Sequence, residues 1–568
     1  MATNDSSSAT GAPVILRQGS KDGSEIVMEF RAEHDLVGDE LVPKDAYYGI
    51  QTQRAMKNFD ITGVPISHFP QFIRALAMVK KAAALANHEL GYLTTLKKNA
   101  IVQACDEIIV DELLLDEFPV DLIQGGAGTS TNMNANEVIA NRGLEIMGHL
   151  KGEYQYLHPN NDVNQSQSTN DVYPTAARLA MCFSDDPLVD AVKHLMAALD
   201  LKAEEFKDVI KLGRTQLQDA VPMTLGQEFK GWSENLGKDL DRMEELAKLF
   251  ATVNMGGTAI GTGINTDPKY IETVIQKLCD VTGIEVKAAP NMIDASSDMG
   301  DFMIFSGMLR RLAVKLSKIA NDLRLLSSGP RGGLNDINLP AVQPGSSIMP
   351  GKVNPVIPEA VNQTAFQVIG NDLAITLAAE AGQLQLNYAE PLIIYNLLSN
   401  LRMLTNACYM LTDRCITQIT ANKERCEEMV YNSIGIVTAF NPHLGYEKSS
   451  AVAKKALNTG RNVIDIIREE GYLTDAEIEK IMKVENLTGP SSLMKKNPRS
   501  IVDMNRSFTH MRVSSVDASF FNNVVLQDDG STTPVMTPGH RRVRSTAHHF
   551  LPPAINTMDS VPSSLQLK

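Results

Sequence analysis

Apolar residues at helical spacing dominate the middle of the chain. Seven of them follow one another in steps of four and three positions, beginning at Phe305 and ending at Leu326. This spacing is typical of a seam along which long helices pack at shallow angles. Similar periodicity predicts further long helices over 187–212, 224–253, 358–382 and 391–417. Together these patterns predict a mainly α fold with a central bundle whose partners extend beyond one chain.

Shorter helical patterns flank this central group. An amphipathic pattern over 72–88 follows Pro70, a residue that suits the first turn of a helix. Another helical pattern, over 134–146, follows a glycine-rich turn. Three short patterns separated by Gly460 and Gly471 predict a small helical domain after the bundle. They cover 449–459, 463–470 and 475–483.

These patterns divide the chain into five parts. Residues 1–30 are rich in Ser, Thr and Gly and have little apolar periodicity, so they are predicted to be a disordered tail. The parts that follow are an N-terminal domain over 31–165, a central helical-bundle domain over 166–430, a small C-terminal helical domain over 431–487 and an extension over 488–568.

The extension over 488–568 differs from the rest of the chain in its charge. It holds nine Lys or Arg residues against five Asp or Glu residues, and its apolar residues follow no period. Disorder is the simpler interpretation of such a segment. The alternative is a regulatory or partner-binding segment around Thr533-Pro534 and Thr537-Pro538, which have arginines nearby.

The overall charge and the cysteines exclude several classes of protein. The 568 residues carry a net charge of −14, which argues against a nucleic-acid partner because such a partner requires a basic face. The six cysteines form no C-x-x-C pair, so reduced thiols are expected. No apolar run reaches membrane-spanning length, and the N-terminal residues match neither a secretory nor a transit peptide. We therefore expect a cytoplasmic protein without a membrane or nucleic-acid partner.

The most informative polar stretch is the loop 345–355, which reads GSSIMPGKVNP. Its two glycines and two prolines exclude a regular helix or a central strand. It nevertheless concentrates two hydroxyls, one ammonium and one carboxamide, on Ser346, Ser347, Lys352 and Asn354. Such a donor-rich loop suits a small dianion, and an ordinary polar surface loop is the alternative interpretation.

Two further polar stretches lie earlier in the chain. Residues 125–134 begin with a glycine-rich turn that opens a helix, and such a turn presents backbone N–H groups to a carboxylate. A tight turn without a ligand is the alternative. Residues 158–171 are almost wholly polar but contain few charges, so they supply neutral donors. A solvated turn is the alternative for that stretch.

The stretches 125–134, 164–171 and 345–355, separated by long helices, resemble the three signature blocks of the fumarase/aspartase superfamily. The resemblance extends from Glu33 to Leu487. Other runs resemble the ammonia-lyase branch of that family. They are DAYYG at 45–49, GRTQLQDA at 213–220, GLNDINLP at 333–340, VIPE at 356–359 and AEAGQLQLN at 379–387.

This resemblance implies a three-domain fold in which the long helices of four subunits form one bundle. The protein is then a homotetramer, and each active site takes residues from three chains. The implied reaction is the reversible removal of ammonia from L-aspartate to give fumarate. A base removes a proton from Cβ, an aci-carboxylate forms, and the amine departs. The resemblance implies no cofactor and no metal.

The resemblance also implies roles for individual residues. Ser346 matches the catalytic base, and Lys352 provides a positive charge nearby that favours an ionised hydroxyl. Lys352 and Asn354 match residues that bind the α-carboxylate. The other implied substrate-binding residues are Thr129, Ser168 and Thr169 at the second carboxylate, Asn170 close to the amino group, and Thr215, Gln216 and Ser347.

Some residues depart from the family pattern and leave alternatives open. Gln216 stands where most of the family has His, which favours ammonia removal, whereas Gly351 follows the fumarase form of its block. A fumarase, or a lyase for another substituted succinate, is the alternative activity. A non-catalytic structural protein, like the lens proteins of this family, would be expected to have lost the polar site residues. His158 resembles a second anion site of fumarases, with a turn-forming role as the alternative.

Overall fold

Seventeen α-helices make up most of the described part of the chain, which comprises residues 14–19 and 25–490 of the computed structural model. The mainly α fold predicted from the sequence is therefore confirmed. The helices are α1 (Ile50–Asn58), α2 (Pro70–Glu89), α3 (Thr95–Ile109), α4 (Thr129–Ile146), α5 (Thr169–Glu205), α6 (Leu225–Ala247), α7 (Tyr270–Thr282), α8 (Met292–Ala295), α9 (Gly300–Leu326), α10 (Val356–Glu380), α11 (Glu390–Arg414), α12 (Lys423–Asn432), α13 (Val437–Leu444), α14 (Tyr446–Thr459), α15 (Val463–Glu469), α16 (Asp475–Ile481) and α17 (Val484–Leu487).

The strands of the described residues are short and form small sheets. They are β1 (Val14–Gly19), β2 (Glu25–Asp35), β3 (Gly38–Pro43), β4 (Ile210–Thr215), β5 (Gln218–Thr224), β6 (Thr252–Val253), β7 (Lys287–Ala288), β8 (Ile337–Asn338) and β9 (Thr420–Ala421). β1, β2 and β3 form an antiparallel sheet, and β4 and β5 form a hairpin. β6 and β7 pair in parallel, and β8 and β9 pair antiparallel.

The first sheet differs from the predicted N-terminal tail. A disordered segment is predicted over 1–30, but β1 pairs with β2 from Val14 to Gly19, and β2 continues beyond residue 30. β-branched residues such as Val14, Ile15 and Val27 favour extended backbone and explain the difference. Residues 1–13 and 491–568, which include most of the predicted extension, lie outside the described residues.

The long helices bury the apolar seam that the sequence predicts. α9 packs against α6 and α10, and α5 packs against α6 and α11. The seam residues of α9 from Phe305 to Leu326 are all buried. They belong to a single apolar cluster that runs from Ala55 to Ile419 and includes α2, α4 and the bundle helices. The helices that carry the polar stretches are therefore fixed to one another by a shared core.

α10 is apolar on two faces. One face is buried through residues such as Val361 and Val368, whereas Phe366, Leu373 and Leu377 are 60–62% exposed. The exposed residues recur at helical spacing and form a continuous stripe, which we call the α10 face. Over the described residues no helix, α10 included, is both long enough and apolar enough to cross a membrane.

Both ends of α5 differ from the prediction. The helix begins at Thr169 rather than at 187, because Ser168 and Asp171 form a capping box at its start. Pro187, which is predicted to open the helix, lies inside it. α5 also ends at Glu205 rather than at 212, and the following residues form the hairpin of β4 and β5.

A second apolar cluster lies toward the C-terminal end of the described residues. Leu212 of β4 belongs to it, which explains why an apolar residue continues the helical pattern of α5 without being part of that helix. The other buried members are Val430, Ile436, Phe440, Val452, Ala456, Val463, Ile464, Ile466, Ile467, Ile478 and Ile481. The division of the chain at 165, 430 and 487 stays a prediction.

Candidate active site

Helices α4 and α5 begin next to each other, and each begins within a predicted polar stretch. Thr129 is the first residue of α4, and Thr169 is the first residue of α5. The two starts are joined because Asn132, in the first turn of α4, donates from Nδ2 to Thr169 Oγ1 at 3.1 Å. Among the described residues the N–H groups of Ser130 and Thr169 have no acceptor, and together with the helix dipole they make each start partly positive. Two such starts side by side favour a bound carboxylate.

The start of α4 depends on a glycine turn. Gly126 and Gly128 have φ angles of +86° and +91°, a region that glycine adopts without strain. Gly128 also has no space for a side chain, because an added Cβ would lie 2.2 Å from Cδ2 of the buried Tyr173 ring. The exposed Thr129 hydroxyl donates to the Gly126 carbonyl at 2.8 Å. The turn therefore sets the position of Thr129.

The start of α5 is held by its capping box. Ser168 Oγ accepts the N–H of Asn170 at 3.3 Å, and Asp171 Oδ1 accepts the N–H of Ser168 at 2.9 Å. Asp171 Oδ2 accepts the N–H groups of Gly256 and Thr258. Burial raises the pKa of Asp171 to about 6, although these hydrogen bonds oppose the shift. Ser168 is thus fixed at the helix start.

The side-chain amide of Asn170 is oriented by the chain that follows α6. Its Nδ2 donates to the Ala259 carbonyl at 2.8 Å, and its backbone carbonyl accepts from Asn254 Nδ2 at 2.9 Å. Asn170 Oδ1 forms no hydrogen bond with the described residues. It remains available as an acceptor for an ammonium group.

A buried lysine that the sequence analysis missed lies beneath both helix starts. Lys80 of α2 is fully buried. Its Nζ donates to Asn132 Oδ1 at 2.6 Å, to Asn164 Oδ1 at 2.8 Å and to Gln167 Oε1 at 3.0 Å. Lys80 therefore joins the first turn of α4 to the residues that lead into α5.

One signal in the sequence could have identified Lys80. It lies four positions after Leu76 and three before Ala83, in phase with the buried face of α2. Lysine is seldom fully buried unless its ammonium has partners. Burial lowers the pKa of Lys80 to about 7, and the nearby Asp171 charge opposes this shift.

The hairpin of β4 and β5 carries Thr215 and Gln216 at an exposed end. The two turn residues, Gln216 and Leu217, have φ angles of +55° and +62°. These angles fit the turn that joins two tightly paired strands, but they are uncommon for residues other than glycine. The buried Asp336 pairs with Lys211 near the base of the hairpin at 3.3 Å and with Arg214 near its turn at 2.8 Å. Gln216 thus lies two residues beyond the last of these ion pairs.

The loop 345–355 is closed by its own hydrogen bonds. The Gly345 N–H donates to the Lys352 carbonyl at 2.8 Å, and Asn354 Nδ2 donates to the Gly345 carbonyl at 2.8 Å. A side chain at 345 would not fit, because its Cβ would lie 2.6 Å from the Lys352 carbonyl oxygen. The Lys352 ammonium has no ion-pair partner in the part of the chain that the structure describes. Its charge is available to a ligand.

Ser346 lies in this loop with two backbone donors directed at its hydroxyl oxygen. The N–H groups of Ile348 and Met349 lie 3.3 and 3.2 Å from Ser346 Oγ. Donors in such positions stabilise negative charge on oxygen. The positive charge of Lys352 in the same loop acts in the same direction, so the surroundings favour an ionised Ser346 hydroxyl.

The predicted site residues do not form one hydrogen-bonded cluster within the described part of the chain. They fall into three groups, which are the helix-start group (Thr129, Ser168, Thr169 and Asn170), the hairpin group (Thr215 and Gln216) and the loop group (Ser346, Ser347, Lys352 and Asn354). Across residues 14–19 and 25–490, no hydrogen bond or ion pair joins one group to another. The hairpin and loop groups are largely exposed. The described residues therefore present three groups that no hydrogen bond or ion pair connects.

His158 forms a turn rather than an open anion site. Its Nδ1 accepts the N–H groups of Asn160 and Asn161 at 3.0 and 3.3 Å. The nearby Asp162 pairs with Lys97 at 2.7 Å. The backbone donors of this turn are therefore already occupied. Among the residues that the structure describes, no cluster of three or more His, Cys, Asp or Glu side chains is arranged to hold a metal ion.

Comparison with protein families and curated proteins gives two consistent results. A family model described as lyase matches residues 38–370, and one described as the C-terminus of fumarase C matches residues 436–489. An aspartate ammonia-lyase of Pseudomonas canavaninivorans is 60% identical over 462 residues, which cover 81% of this chain and 97% of the relative. The aspartate ammonia-lyase of Escherichia coli strain K12 is 55% identical over 466 residues, which cover 82% of this chain and 98% of the relative.

Solved structures give the same picture. A fumarate lyase:delta crystallin from Brucella melitensis, bound to cobalt in that crystal, has a TM-score of 0.79 and 56% identity. The match covers 81% of this chain and all of the other. A class II fumarase from Schistosoma mansoni has a TM-score of 0.76 and 34% identity, with 82% of this chain covered.

Proposed function

Because this chain belongs to the fumarase/aspartase family of lyases, we propose that it catalyses the reversible deamination of L-aspartate to fumarate and ammonia with Ser346 as the base. Its similarity to aspartate ammonia-lyases over nearly their whole length identifies the enzyme class. The observation that carries the assignment of the base is the pair of N–H donors, from Ile348 and Met349, at Ser346 Oγ.

Ser346 starts the reaction by removing a proton from Cβ of L-aspartate. A serine hydroxyl is weakly basic, so the reaction uses its ionised form, which the two N–H donors and the Lys352 charge stabilise. The electron pair of the broken C–H bond moves onto the adjacent carboxylate and forms the aci-carboxylate. A positioned base typically contributes a rate factor of ~10²–10⁴.

The helix-start group receives the carboxylate on which this charge develops. The Thr169 hydroxyl and the N–H groups of Ser130 and Thr169 act as donors. The Thr129 hydroxyl joins them by turning its proton from the Gly126 carbonyl to the substrate. Because they are held in place before the reaction, they stabilise the doubly charged intermediate more than the substrate. Removal of one such donor typically raises the barrier by about 3 kcal/mol.

The loop group binds the other end of the substrate. Lys352, with its unpaired ammonium, pairs with the α-carboxylate, and Asn354 and Ser347 lie beside it in the same loop. Asn170 Oδ1 accepts a hydrogen bond from the substrate ammonium. When the aci-carboxylate collapses, the C–N bond breaks, and ammonia leaves with fumarate as the second product.

The hairpin group favours loss of ammonia over loss of water. Thr215 contacts the substrate, and Gln216 occupies the position of the family's histidine. A glutamine amide does not transfer a proton, which hydroxide requires in order to leave. The substrate ammonium, by contrast, leaves as neutral ammonia and requires no further proton. Gln216 is therefore compatible with ammonia elimination and unfavourable for malate dehydration.

The enzyme is a homotetramer in which each site combines groups from three chains. Two features of the single chain support this arrangement. No hydrogen bond or ion pair joins the three groups within the described residues, and the α10 face leaves Phe366, Leu373 and Leu377 exposed. A contiguous apolar stripe of this kind marks a surface for another protein. Packing of α10 faces brings the bundles of different chains together.

The first test compares substrates. The purified protein is incubated with L-aspartate and, separately, with L-malate, and fumarate is followed by its ultraviolet absorbance. We expect fumarate from L-aspartate. Fumarate from L-malate alone would make the protein a fumarase, which its fold also accommodates. Activity with neither substrate would contradict the proposal and direct attention to other substituted succinates.

The second test removes the base. Ser346→Ala should lower kcat for L-aspartate by ~10²–10⁴-fold, because no other group replaces the base. The thermal midpoint should stay close to that of the parent, since only two long hydrogen bonds are lost. Ser327→Ala, at the end of α9, is the control for loss of a partly exposed hydroxyl. A Ser346→Ala protein as active as the parent would exclude the mechanism.

A further inference from the structure

Lys80 is unusual because its buried ammonium contacts only neutral oxygens. Its three protons meet three side-chain amide oxygens, from Asn132, Asn164 and Gln167. No carboxylate pairs with it directly, within the residues that the structure describes. Burying a cation without an opposite charge in contact is costly, even when its hydrogen bonds are satisfied. A neutral side chain at position 80 would therefore cost the fold less free energy than the buried charge does.

The contact with Lys80 fixes the direction of the Asn132 amide. An ammonium group donates hydrogen bonds and accepts none. Asn132 must therefore turn Oδ1 toward Lys80, which places Nδ2 on the opposite side. Nδ2 then donates to Thr169 Oγ1 at 3.1 Å and to Asn164 Oδ1 at 3.2 Å. The assignment of oxygen and nitrogen in this amide follows from the chemistry of its neighbour.

The direction of the amide in turn fixes the role of the Thr169 hydroxyl. Because Thr169 Oγ1 accepts a proton from Asn132, its own proton must be donated elsewhere. Thr169 begins α5 beside the start of α4, so the donated proton serves the space between the two helix starts. If the Asn132 amide were rotated so that Oδ1 faced Thr169, the Thr169 hydroxyl would donate its proton to Asn132. That proton could then no longer be donated to a bound carboxylate.

We propose that Lys80 is a positioning residue that acts through Asn132 to keep the Thr169 hydroxyl a donor toward the substrate carboxylate. The inference rests on the proposed function, because the carboxylate is that of L-aspartate. Lys80 itself does not touch the substrate. It fixes the direction of donation in a chain of hydrogen bonds that runs from Lys80 through Asn132 to Thr169.

Asn132→Asp separates this role from a purely structural one. A carboxylate at 132 forms an ion pair with Lys80, so the fold should be as stable as the parent or more so. The carboxylate at 132 has no proton to donate to Thr169, so the Thr169 hydroxyl must donate to that carboxylate instead. We expect kcat for L-aspartate to fall by ~10²-fold with a smaller change in KM, because the lost donor acts on charge that develops in the transition state.

Two controls accompany this variant. Asn136→Asp adds the same charge to the same network, since Asn136 Nδ2 donates to Asn164 Oδ1 at 3.2 Å, but it does not contact Thr169. It should lose much less activity. Thr169→Val removes the hydroxyl, and adding Asn132→Asp to Thr169→Val should have little further effect on kcat if both act through one group.

The outcomes distinguish the two proposals. A parent enzyme without activity on L-aspartate refutes the proposed function before any variant is made. With an active parent, a normal kcat for Asn132→Asp overturns the role of Lys80. So does a loss of activity that is matched by a fall in the thermal midpoint, or by an equal loss in Asn136→Asp. Full additivity of Asn132→Asp and Thr169→Val also overturns it.

Discussion

Gln216 lies at the end of a rigid hairpin. Its strand is held two residues earlier by the ion pair of Arg214 and Asp336, and its own backbone has a φ of +55°. A side chain in this position is directed by the backbone more than by its own contacts. Replacing Gln216 therefore changes the chemistry at the turn without changing where that chemistry is presented.

Gln216→His should therefore shift the preference between substrates. Histidine tolerates positive φ better than most residues, so the turn should be kept. An imidazolium can protonate a leaving hydroxide, which the amide cannot do. We expect the ratio of kcat/KM for L-malate to kcat/KM for L-aspartate to rise by roughly tenfold or more. Steady-state measurement of fumarate from both substrates gives the ratio.

Leu217→His is the matched control for that experiment. It introduces the same side chain at the neighbouring turn position, where φ is +62°, but it leaves Gln216 in place. The ratio should stay at the parental value. An equal rise in both variants, or no rise in Gln216→His, would mean that position 216 does not face the leaving group.

The site residues predicted from the sequence all lie in short motifs, and none was found through contacts between distant parts of the chain. The roles predicted for Ser346 and Lys352 follow from the family resemblance of one contiguous loop and stay predictions. The network of Lys80, Asn132 and Gln167 joins residues that are 52 and 87 positions apart. Side-chain amides have no sequence pattern that reports their partners. Which atoms of such a network donate and which accept can be assigned only when the neighbours of each amide are known.

At the scale of secondary-structure elements, the turn before α4 has little tolerance for a side chain at Gly128. Gly128→Ala should cost about 1–2 kcal/mol for its left-handed backbone and a further ~1–3 kcal/mol for the contact with Tyr173. Activity should fall as well, because Thr129 and the start of α4 must shift. Urea unfolding at one protein concentration and kcat/KM for L-aspartate report the two effects.

Gly126→Ala is the control that isolates the cost of the left-handed backbone. Its φ of +86° is close to that of Gly128, but an added Cβ would come no closer than 3.6 Å to any neighbouring atom. It should therefore show the backbone cost alone. If both variants are equally destabilised, the Tyr173 ring moves aside, and the turn is less constrained than the packing indicates.

The central parts of the helices could be predicted from the sequence better than their ends. Periodic apolar residues located α9, α10 and α11 correctly, because burial of one face produces that pattern. The start of α5 was misplaced because Pro187 is a common first-turn residue, whereas the actual start depends on the capping box of Ser168 and Asp171. The hairpin was missed because Leu212 fits a helical period while facing another core.

At the scale of the whole molecule, the α10 face should control assembly. Leu373→Asp places a charge in the centre of an apolar surface that, in the proposed tetramer, packs against another chain, so the charge would be buried without a partner. We expect dissociation to smaller species and loss of activity. Light scattering coupled to size-exclusion chromatography measures the mass, and the fumarate assay measures the activity.

Leu457→Asp provides the comparison. Leu457 lies on α14 and is 71% exposed, but it lies outside the bundle helices. The same substitution there should leave the mass and activity unchanged. If Leu373→Asp also remained a tetramer, the α10 face would not be the surface that joins the chains.

The proposed sharing of each site among three chains has a consequence for inheritance. In that arrangement, a cell that carries two different defective alleles makes mixed tetramers. If one allele is damaged in the loop 345–355 and the other at Thr129 or Thr169, some sites in those tetramers take every group from an undamaged copy. Two alleles that are each inactive alone can then restore growth together. Two alleles damaged in the same group cannot.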